Sequence, residues 1–258
     1  MKTVILAGGR GTRIAEESVL RPKPMVEIGG QPILWHIMKY YSSFGHNDFV
    51  ICCGYKGHMI KQYFADYYLH RSDVTFDFAS GNEMVVHNNV AEPWKVTLVH
   101  TGMNTMTGGR IRRIRQYVED EPFFLTYGDG VGDVDLNALL DYHKSEGCTV
   151  TISAILTSGR FGVIDFGEQG NVKGFREKAN QDGSWINAGF MVMQPEIFNY
   201  LPDDDCTLET KPFDDLSKNG KLAAYRHHGY WQCMDTQRDR LFIEERWETG
   251  NAPWKIWN

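Results

Sequence analysis

A glycine-rich turn follows the first apolar run of the chain. It reads Leu6-Ala7-Gly8-Gly9-Arg10-Gly11-Thr12-Arg13 and comes directly after a predicted strand, Thr3–Leu6. Glycines allow backbone N–H groups to approach phosphate oxygens, and Arg13 adds a bidentate donor. Ile14 stands where a dinucleotide-binding fingerprint needs its third glycine, and the P-loop Gly-Lys-Ser/Thr is absent. The glycine-rich segment therefore predicts a phosphate-binding site. The alternative is a tight turn that only connects the strand to the next loop.

A single lysine is framed by two prolines shortly after this turn. In Pro22-Lys23-Pro24 the prolines restrict the backbone on both sides of Lys23. An exposed surface lysine gains nothing from such a frame, whereas an ammonium group aimed at a phosphate does. The motif therefore favours a second phosphate contact, and a simple turn lysine remains open.

A lone carboxylate follows a later apolar strand. Asp129 lies in Tyr127-Gly128-Asp129-Gly130, after the predicted strand Phe123–Tyr127. A calcium loop starting at Asp129 is excluded, because Leu140 occupies its twelfth position, where a bidentate Glu is required. Asp135 is instead predicted to cap the next helix. Asp129 suits a magnesium ion that also binds substrate phosphates.

The remaining polar clusters carry weaker signals. The histidines show no metal-binding spacing, and five cysteines without a C-x-x-C pair indicate reduced thiols in a cytosolic protein. Four arginines lie close together in the segment 110–115, and most of them are expected to be solvated. Gly108-Gly109 precedes them and would place a helix N-terminus and Arg110 beside a base or a phosphate.

Alternating elements position these residues. Up to about residue 150, apolar strands such as Phe49–Cys53 and Val96–Val99 alternate with segments of helical period. Such alternation predicts right-handed crossovers and a largely parallel sheet. Beyond residue 150, a β-hairpin (Val163–Phe166 and Val172–Phe175), a strand at Trp185–Met193 and a terminal helix at Gln237–Glu248 are expected.

The predicted fold class is α/β: a Rossmann-like, mainly parallel mixed sheet flanked by helices, with a smaller β-rich acceptor-side subregion. No linker composition divides the chain, so residues 1–258 are predicted to form one domain. Residues 1–150 would be its nucleotide-binding half, and residues 151–258 its sugar-phosphate-binding half with the C-terminal helix.

Composition excludes several classes of protein. The 258 residues are 42% hydrophobic and 23% charged, which is ordinary globular usage. A net charge of −6 argues against a nucleic-acid partner. No apolar run approaches the roughly 20 residues of a membrane helix, and the N-terminal run is too short for a signal peptide. A cytoplasmic location is expected.

Taken together, these motifs resemble the sugar-phosphate nucleotidyltransferases, and within them the glucose-1-phosphate cytidylyltransferase branch. The resemblance covers nearly the whole chain. The superfamily is marked by Leu6–Arg13, Pro22-Lys23-Pro24 and Tyr127-Gly-Asp-Gly. The branch is marked by Lys23-Pro-Met-Val-Glu-Ile-Gly-Gly, Ile51-Cys-Cys-Gly-Tyr-Lys-Gly, Glu92-Pro-Trp, Met106-Thr-Gly-Gly-Arg110, Gly159-Arg-Phe-Gly162 and Met234-Asp-Thr236.

The resemblance implies a reaction and a set of roles. A cytidylyl group would pass from CTP to a sugar 1-phosphate, most simply α-D-glucose 1-phosphate, with Mg²⁺ as cofactor. Arg13, Lys23 and Asp129 would be catalytic, and Asp129 and Asp235 would bind the metal. Lys178 and Asn187 would face the sugar phosphate. The nucleotide would contact Leu6, Ala7, Gly8, Gly9, Gly11, Thr12, Arg13, Lys23, Thr107, Gly108, Arg110 and Gly128. A homo-oligomer, a hexamer by resemblance, and a role in CDP-linked deoxysugars for surface polysaccharide are also implied.

Three positions depart from the family pattern, all in the acceptor half. Ala179 and Ala188 stand where proline and glycine are expected, and Lys211 replaces an acidic residue. Ala188 would block a hydroxyl contact, and Lys211, if it faced the pocket, would favour a more anionic acceptor. A different phosphorylated acceptor, an inactive nucleotide-binding regulator and a nicotinamide-dependent oxidoreductase therefore remain as alternatives.

Overall fold

The computed structural model describes residues 1–11, 19–79, 81–157, 163–167, 171–176 and 184–257. The strands in this part of the chain are β1 Thr3–Ala7, β2 Glu27–Ile28, β3 Gln31–Pro32, β4 Asp48–Cys53, β5 Asp73–Asp77, β6 Glu83–His87, β7 Lys95–His100, β8 Phe123–Tyr127, β9 Gly130–Gly132, β10 Val150–Thr157, β11 Val163–Phe166, β12 Val172–Arg176, β13 Ser184–Met193, β14 Leu222–His227 and β15 Trp231–Cys233. The α-helices are α1 Ile33–Ser43, α2 Gly57–Ala65, α3 Tyr67–His70, α4 Thr107–Arg113, α5 Arg115–Val118, α6 Leu136–Glu146, α7 Lys211–Lys218 and α8 Gln237–Glu248, and 3-10 turns cover Lys23–Met25 and Pro195–Tyr200.

Seven strands form the central sheet, in the order β14-β10-β13-β8-β1-β4-β7. Strand β13 is antiparallel to both of its neighbours, and the other pairs are parallel. The predicted mainly parallel mixed sheet flanked by helices is therefore confirmed. Both halves of the chain contribute strands to it.

The two faces of the sheet bury separate apolar cores, which explains the uninterrupted apolar strands. In β1, Ile5 and Ala7 pack on one face, while Val4 and Leu6 pack on the other. Helix α1 covers the first face with side chains such as Ile37, and helix α4 covers the second with Ile111. Because successive strand residues point to opposite faces, a strand covered on both sides has to be apolar throughout.

Polar caps fix the helices that follow two site loops. The Asp135 carboxylate accepts backbone N–H bonds from Asn137 and Ala138, as predicted for the start of α6. Thr236 and Asp239 form a reciprocal capping box at the start of α8. Helix α8 therefore begins directly after Asp235, which holds that carboxylate at a defined point.

Short two-stranded sheets lie beside the central one. The β11–β12 hairpin is antiparallel as predicted, and its turn residues 168–170 lie outside the described residues. Strand β15 pairs with β9, next to Asp129. Sequence periodicity did not single out β5, β6 or β10. Strand β10 nevertheless lies within the central sheet, between β13 and β14.

Within the described ranges, no helix combines the length and apolarity that crossing a bilayer demands.

All five cysteines are buried free thiols, and burial raises the pKa of Cys53 to about 11. A protonated buried thiol is a poor nucleophile, so we assign the cysteines to packing.

A buried histidine predicts acid sensitivity of the fold. His36 is fully buried beside the Trp247 ring, its Nε2 is 2.8 Å from the Ile28 carbonyl, and burial lowers its pKa to about 4. The unfolded chain binds this proton near pH 6.5 and the folded chain does not, so stability falls as pH drops from 6.5 towards 4. We expect His36 to account for a loss of about 2 kcal/mol between pH 8 and pH 5.

Urea unfolding at the two pH values measures this loss. The variant His36→Gln keeps a donor for the Ile28 carbonyl and should remove that part of the pH dependence. The matched control is His58→Gln, since His58 is exposed. Equal pH dependence in wild type and His36→Gln would contradict the assignment.

Candidate active site

A cleft opens between the loops that follow the neighbouring parallel strands β1 and β8. The chain continues from β1 to β4 and β7 on one side, whereas β8 lies on the other, so the strand order reverses here. Open α/β sheets bind ligands at such a reversal. The cleft measures about 370 Å³ and is lined by Leu6, Ala7, Gly8, Gly9, Gly11, Lys23, Pro24, Thr105, Met106, Thr107, Arg110, Tyr127, Gly128 and Asp129.

A buried arginine supports the glycine-rich turn from below. Arg110 donates from Nη2 to the Gly8 carbonyl at 3.0 Å, and from Nη1 to Thr101 Oγ1 and the Gly102 carbonyl at 2.8 Å each. A Cβ atom at Gly8 would lie 2.1 Å from Arg110 Nη1, and one at Gly54 would lie 2.5 Å from it. The sequence analysis placed Arg110 beside a base or a phosphate. Arg110 does line the cleft, and its guanidinium in addition binds the backbone that forms it; a contact with the nucleotide stays a prediction.

The lysine between the two prolines meets both predicted metal ligands. Lys23 Nζ lies 2.6 Å from Asp129 Oδ2 and 2.6 Å from Asp235 Oδ1. Lys23 and Asp235 are buried, and Asp129 is partly exposed towards the cleft. Burial opposes the charge on Lys23, but the two carboxylates outweigh it, so the pKa of Lys23 lies above its ordinary value. The sequence placed these residues 106 and 212 positions from Lys23, and the fold brings them into contact.

The chemistry of this cluster fits a divalent cation. Two carboxylates surround one ammonium group in this largely buried place, and both can supply oxygen ligands to a divalent cation. Mg²⁺ is typically held by one or two carboxylates together with substrate phosphates, rather than by a full protein cage. The described residues contain no group of three or more His, Cys, Asp or Glu side chains arranged around a metal position. The donor set therefore suits a metal that arrives with a phosphate ligand.

A second cavity of about 220 Å³ adjoins the cleft. It is lined by Thr126, Tyr127, Asp129, Gly130, Asn187, Ala188, Trp231, Cys233 and Asp235. Tyr127 and Asp129 line both cavities, so the Lys23 cluster lies at their junction. Asn187, predicted to face the sugar phosphate, is among the lining residues. The geometry can hold two ligands with their reacting ends at one carboxylate pair.

Several predicted site residues lie outside the described residues. They are Thr12, Arg13, Lys178 and Ala179. The predicted contacts of Thr12 and Arg13 with the nucleotide, and of Lys178 with the sugar phosphate, stay predictions.

One predicted nucleotide contact and one branch-marking motif lie outside the lining of the cleft. Gly108 does not line the cleft: a Cβ there would lie 2.8 Å from the Cys206 carbonyl, so this glycine lets α4 pack against the segment around Cys206. Glu92-Pro-Trp94 precedes β7, whereas the cleft lies beyond the other end of that strand, roughly 20 Å away. Glu92 binds Lys39 and Tyr67 there. This motif therefore supports the fold at the start of β7.

The charge argument at the acceptor side is also wrong. Lys211 is an exposed residue at the start of α7, and its Nζ lies 2.5 Å from Asp215 Oδ2. It lines neither of the two cavities. Ala188 is buried and lines the second cavity. The expectation that its methyl group blocks a hydroxyl contact of the acceptor therefore stays a prediction.

The sequence analysis missed Glu209 and gave Tyr127 no role. Glu209 Oε1 accepts a hydrogen bond of 2.5 Å from the Tyr127 hydroxyl, and Glu209 Oε2 accepts one of 2.6 Å from Thr107 Oγ1. Burial, followed by the nearby Glu209 charge, raises the pKa of Tyr127 well above its usual value, so the phenol stays protonated. No local motif could have revealed a contact between residues 82 positions apart.

Comparisons with known proteins agree with this geometry. Residues 2–237 match the family of nucleotidyl transferases. The chain is 54% identical to the glucose-1-phosphate cytidylyltransferase of Salmonella typhi, over 258 residues and 100% of both chains. It is 43% identical to the probable glucose-1-phosphate cytidylyltransferase of Bacillus subtilis strain 168, again over 100% of both chains. The crystal structure of HddC from Yersinia pseudotuberculosis is similar with a TM-score of 0.75 at 26% identity, covering 95% of this chain and 99% of that one.

Proposed function

Because the chain belongs to the nucleotidyl transferase family, we propose that it transfers a cytidylyl group from CTP to α-D-glucose 1-phosphate, giving CDP-glucose and pyrophosphate. It is a nucleotidyltransferase, and the resemblance inferred from its motifs is confirmed. The choice of CTP and of glucose 1-phosphate rests on relatives that carry this name at 54% and 43% identity.

One observation supports the chemistry most directly. Lys23 Nζ lies within 2.6 Å of Asp129 and of Asp235, where the two cavities meet. An in-line displacement needs the attacking phosphate oxygen, the α-phosphorus and the leaving pyrophosphate at one place. The larger cavity would take the nucleotide, the smaller one the sugar phosphate, and the shared wall is where they would react.

The chain's own groups would act by binding and positioning. A sugar 1-phosphate is already an anion at pH 7, so its attack needs no general base. The obstacle is repulsion between two anions, about 4 kcal/mol for each unit-charge pair at 4 Å and an effective dielectric constant near 20. Lys23 would offset this repulsion at the phosphates, together with Arg13 and Lys178.

Asp129 and Asp235 would hold the divalent metal that enzymes of this family use, and we propose that it is Mg²⁺. Held there, Mg²⁺ would supply positive charge close to the phosphates as negative charge develops during the transfer. Asp235 precedes Thr236, the N-cap of α8, and Asp129 lies one residue beyond Gly128, which follows the end of β8. Both carboxylates are therefore held by rigid elements before any ligand binds.

The two halves of the chain would divide the substrates between them. We assign residues 1–150 to the nucleotide, because the lining of the larger cavity runs from Leu6 to Asp129. We assign residues 151–258 to the sugar phosphate, since Asn187 and Trp231 line the smaller cavity. We further propose a cytoplasmic homo-oligomer, a hexamer, that supplies CDP-linked deoxysugars for surface polysaccharide such as O-antigen.

Release of pyrophosphate tests the proposed function. The protein is incubated with Mg²⁺, each of the four nucleoside triphosphates in turn, and a panel of sugar 1-phosphates. We expect the highest kcat/KM with CTP and glucose 1-phosphate. Strong release with another acceptor would support the alternative substrate, and release with none would contradict the proposal.

Cytosine preference is a separate prediction. CTP should exceed UTP in kcat/KM by at least about tenfold, because a site that accepts a hydrogen bond from the exocyclic amine leaves a buried acceptor unpaired with uracil. Parallel assays at fixed acceptor concentration measure the ratio. Equal rates with UTP or dTTP would place the protein in another branch of the family.

A further inference from the structure

We infer that Glu209 is a positioning residue that couples the two cavities, by fixing the wall that both substrates would contact. The inference rests on the proposed function for the identity of those substrates. Glu209 does not line either cavity. Its two carboxylate oxygens each accept a hydrogen bond from a hydroxyl group, one from Tyr127, which lines both cavities, and one from Thr107, which lines the larger cavity.

The first hydroxyl group is that of Tyr127, in the wall that the two cavities share. Tyr127 lines both cavities, and its ring lies against the backbone of Gly189, where an added Cβ would be 2.5 Å from Tyr127 Cδ2. Its hydroxyl donates to Glu209 and is 3.4 Å from Asn187 Nδ2. Asn187 in turn accepts the Gly189 N–H at 2.8 Å. The orientation of the phenol therefore affects the acceptor side directly.

The second hydroxyl group belongs to the nucleotide side. Thr107 lines the larger cavity, and its Oγ1 accepts the Leu208 N–H at 2.9 Å. The Thr107 hydroxyl donates its own hydrogen to Glu209 Oε2 at 2.6 Å. Glu209 thus fixes residues of both cavities through two separate oxygen atoms.

The hydrogen-bond inventory shows why a carboxylate is required. Both partner hydroxyls donate, so both oxygens at position 209 must accept. An amide offers one oxygen and one NH₂ group. Only one of the two hydroxyls could then donate to position 209, and the hydrogen of the other would lose its acceptor. Thr107 already accepts from Leu208 and Tyr127 from Asn187, so an NH₂ group would add a second donor at either place. Either loss falls on a residue that lines the larger cavity, and loss at Tyr127 falls on the wall that both cavities share.

The variant Glu209→Gln tests the coupling with almost no change of volume. We expect KM to rise about tenfold for CTP and for glucose 1-phosphate alike, because a hydrogen bond to a charged group is lost at a position that serves both. The value of kcat should fall less than either KM rises. In a Tyr127→Phe background, Glu209→Gln should add little to the KM of the acceptor, since the hydroxyl through which it acts is gone.

A matched control is Asp214→Asn, which removes a carboxylate five positions away that pairs with exposed Lys218. It should leave both KM values within twofold of wild type. If Glu209→Gln also leaves both within twofold, the inference is wrong. A rise for CTP alone would reduce Glu209 to a nucleotide-side residue and would equally overturn it.

Hydrogen exchange without substrates separates this inference from the proposed function. Glu209→Gln should speed exchange in the peptides that carry Leu208 and Gly189, whose N–H groups bind Thr107 and Asn187. Asp214→Asn should not. If the wild type releases no pyrophosphate, the proposed function fails while the exchange result still decides the coupling. Unchanged exchange in both peptides would refute it.

Discussion

Asp129→Asn and Lys23→Ala are each expected to lower kcat/KM by about 10²–10³, since removing one preorganised charge stabiliser has effects of that size. Asp129 and Lys23 are bound to each other at 2.6 Å, at the junction of the two cavities. The asparagine keeps the shape of the carboxylate and removes its charge. The alanine removes the ammonium group that would face the phosphates.

Pyrophosphate release as a function of CTP concentration measures both effects, and thermal unfolding checks that each variant is folded. The matched controls are Asp141→Asn and Lys144→Ala, because these two residues form an exposed pair at 3.2 Å on α6. Both control variants should turn over like wild type. Turnover near the wild-type value in Asp129→Asn or in Lys23→Ala would remove the role assigned to that residue.

Gly8→Ala should also reduce kcat/KM strongly, by about 10². An added Cβ would lie 2.1 Å from Arg110 Nη1 and 2.4 Å from its Cζ, so the turn or the guanidinium must move. A displacement of about 1 Å in a positioning element is sufficient for a loss of that size. Because Arg110 also binds Thr101 and Gly102, the disturbance would reach the loop after β7.

The cause can be isolated with a second substitution. Arg110→Ala removes the clashing group, so Gly8→Ala should lower kcat/KM much less in that background than in wild type. Gly9→Ala serves as the control for stability, since a Cβ there has no atom of the described residues within 4 Å. Its melting temperature should match wild type, whereas that of Gly8→Ala should fall. Additive losses in the double variant would show that Arg110 is not the group that excludes a side chain at position 8.

Local sequence patterns located part of the cleft that we assign to the nucleotide. Strand β1 is apolar at every position because both of its faces are covered, and that run located the glycine turn at the ligand-binding edge. Lys23 and Asp129 were identified from their own neighbours, two prolines and the end of an apolar strand. The start of α6 at Asp135 was also predicted from its side-chain chemistry.

Tertiary structure decided the contacts between distant segments. Arg110 lines the cleft, and only the tertiary structure showed that its guanidinium also holds the turn at Gly8. Glu92-Pro-Trp94 and Lys211 lie away from both cavities, since a motif does not specify which end of an element it occupies or which way its side chains point.

The sequence by itself therefore determined the fold class and the family, and it singled out Lys23 and Asp129 among the charged residues. Hydrophobic periodicity and backbone restrictions act over a few positions, so they are visible in a linear chain. Only the tertiary structure placed Lys23 between Asp129 and Asp235 and gave Tyr127 its partner Glu209. Those distances depend on the order and packing of the strands, which bring together residues that are far apart in the chain.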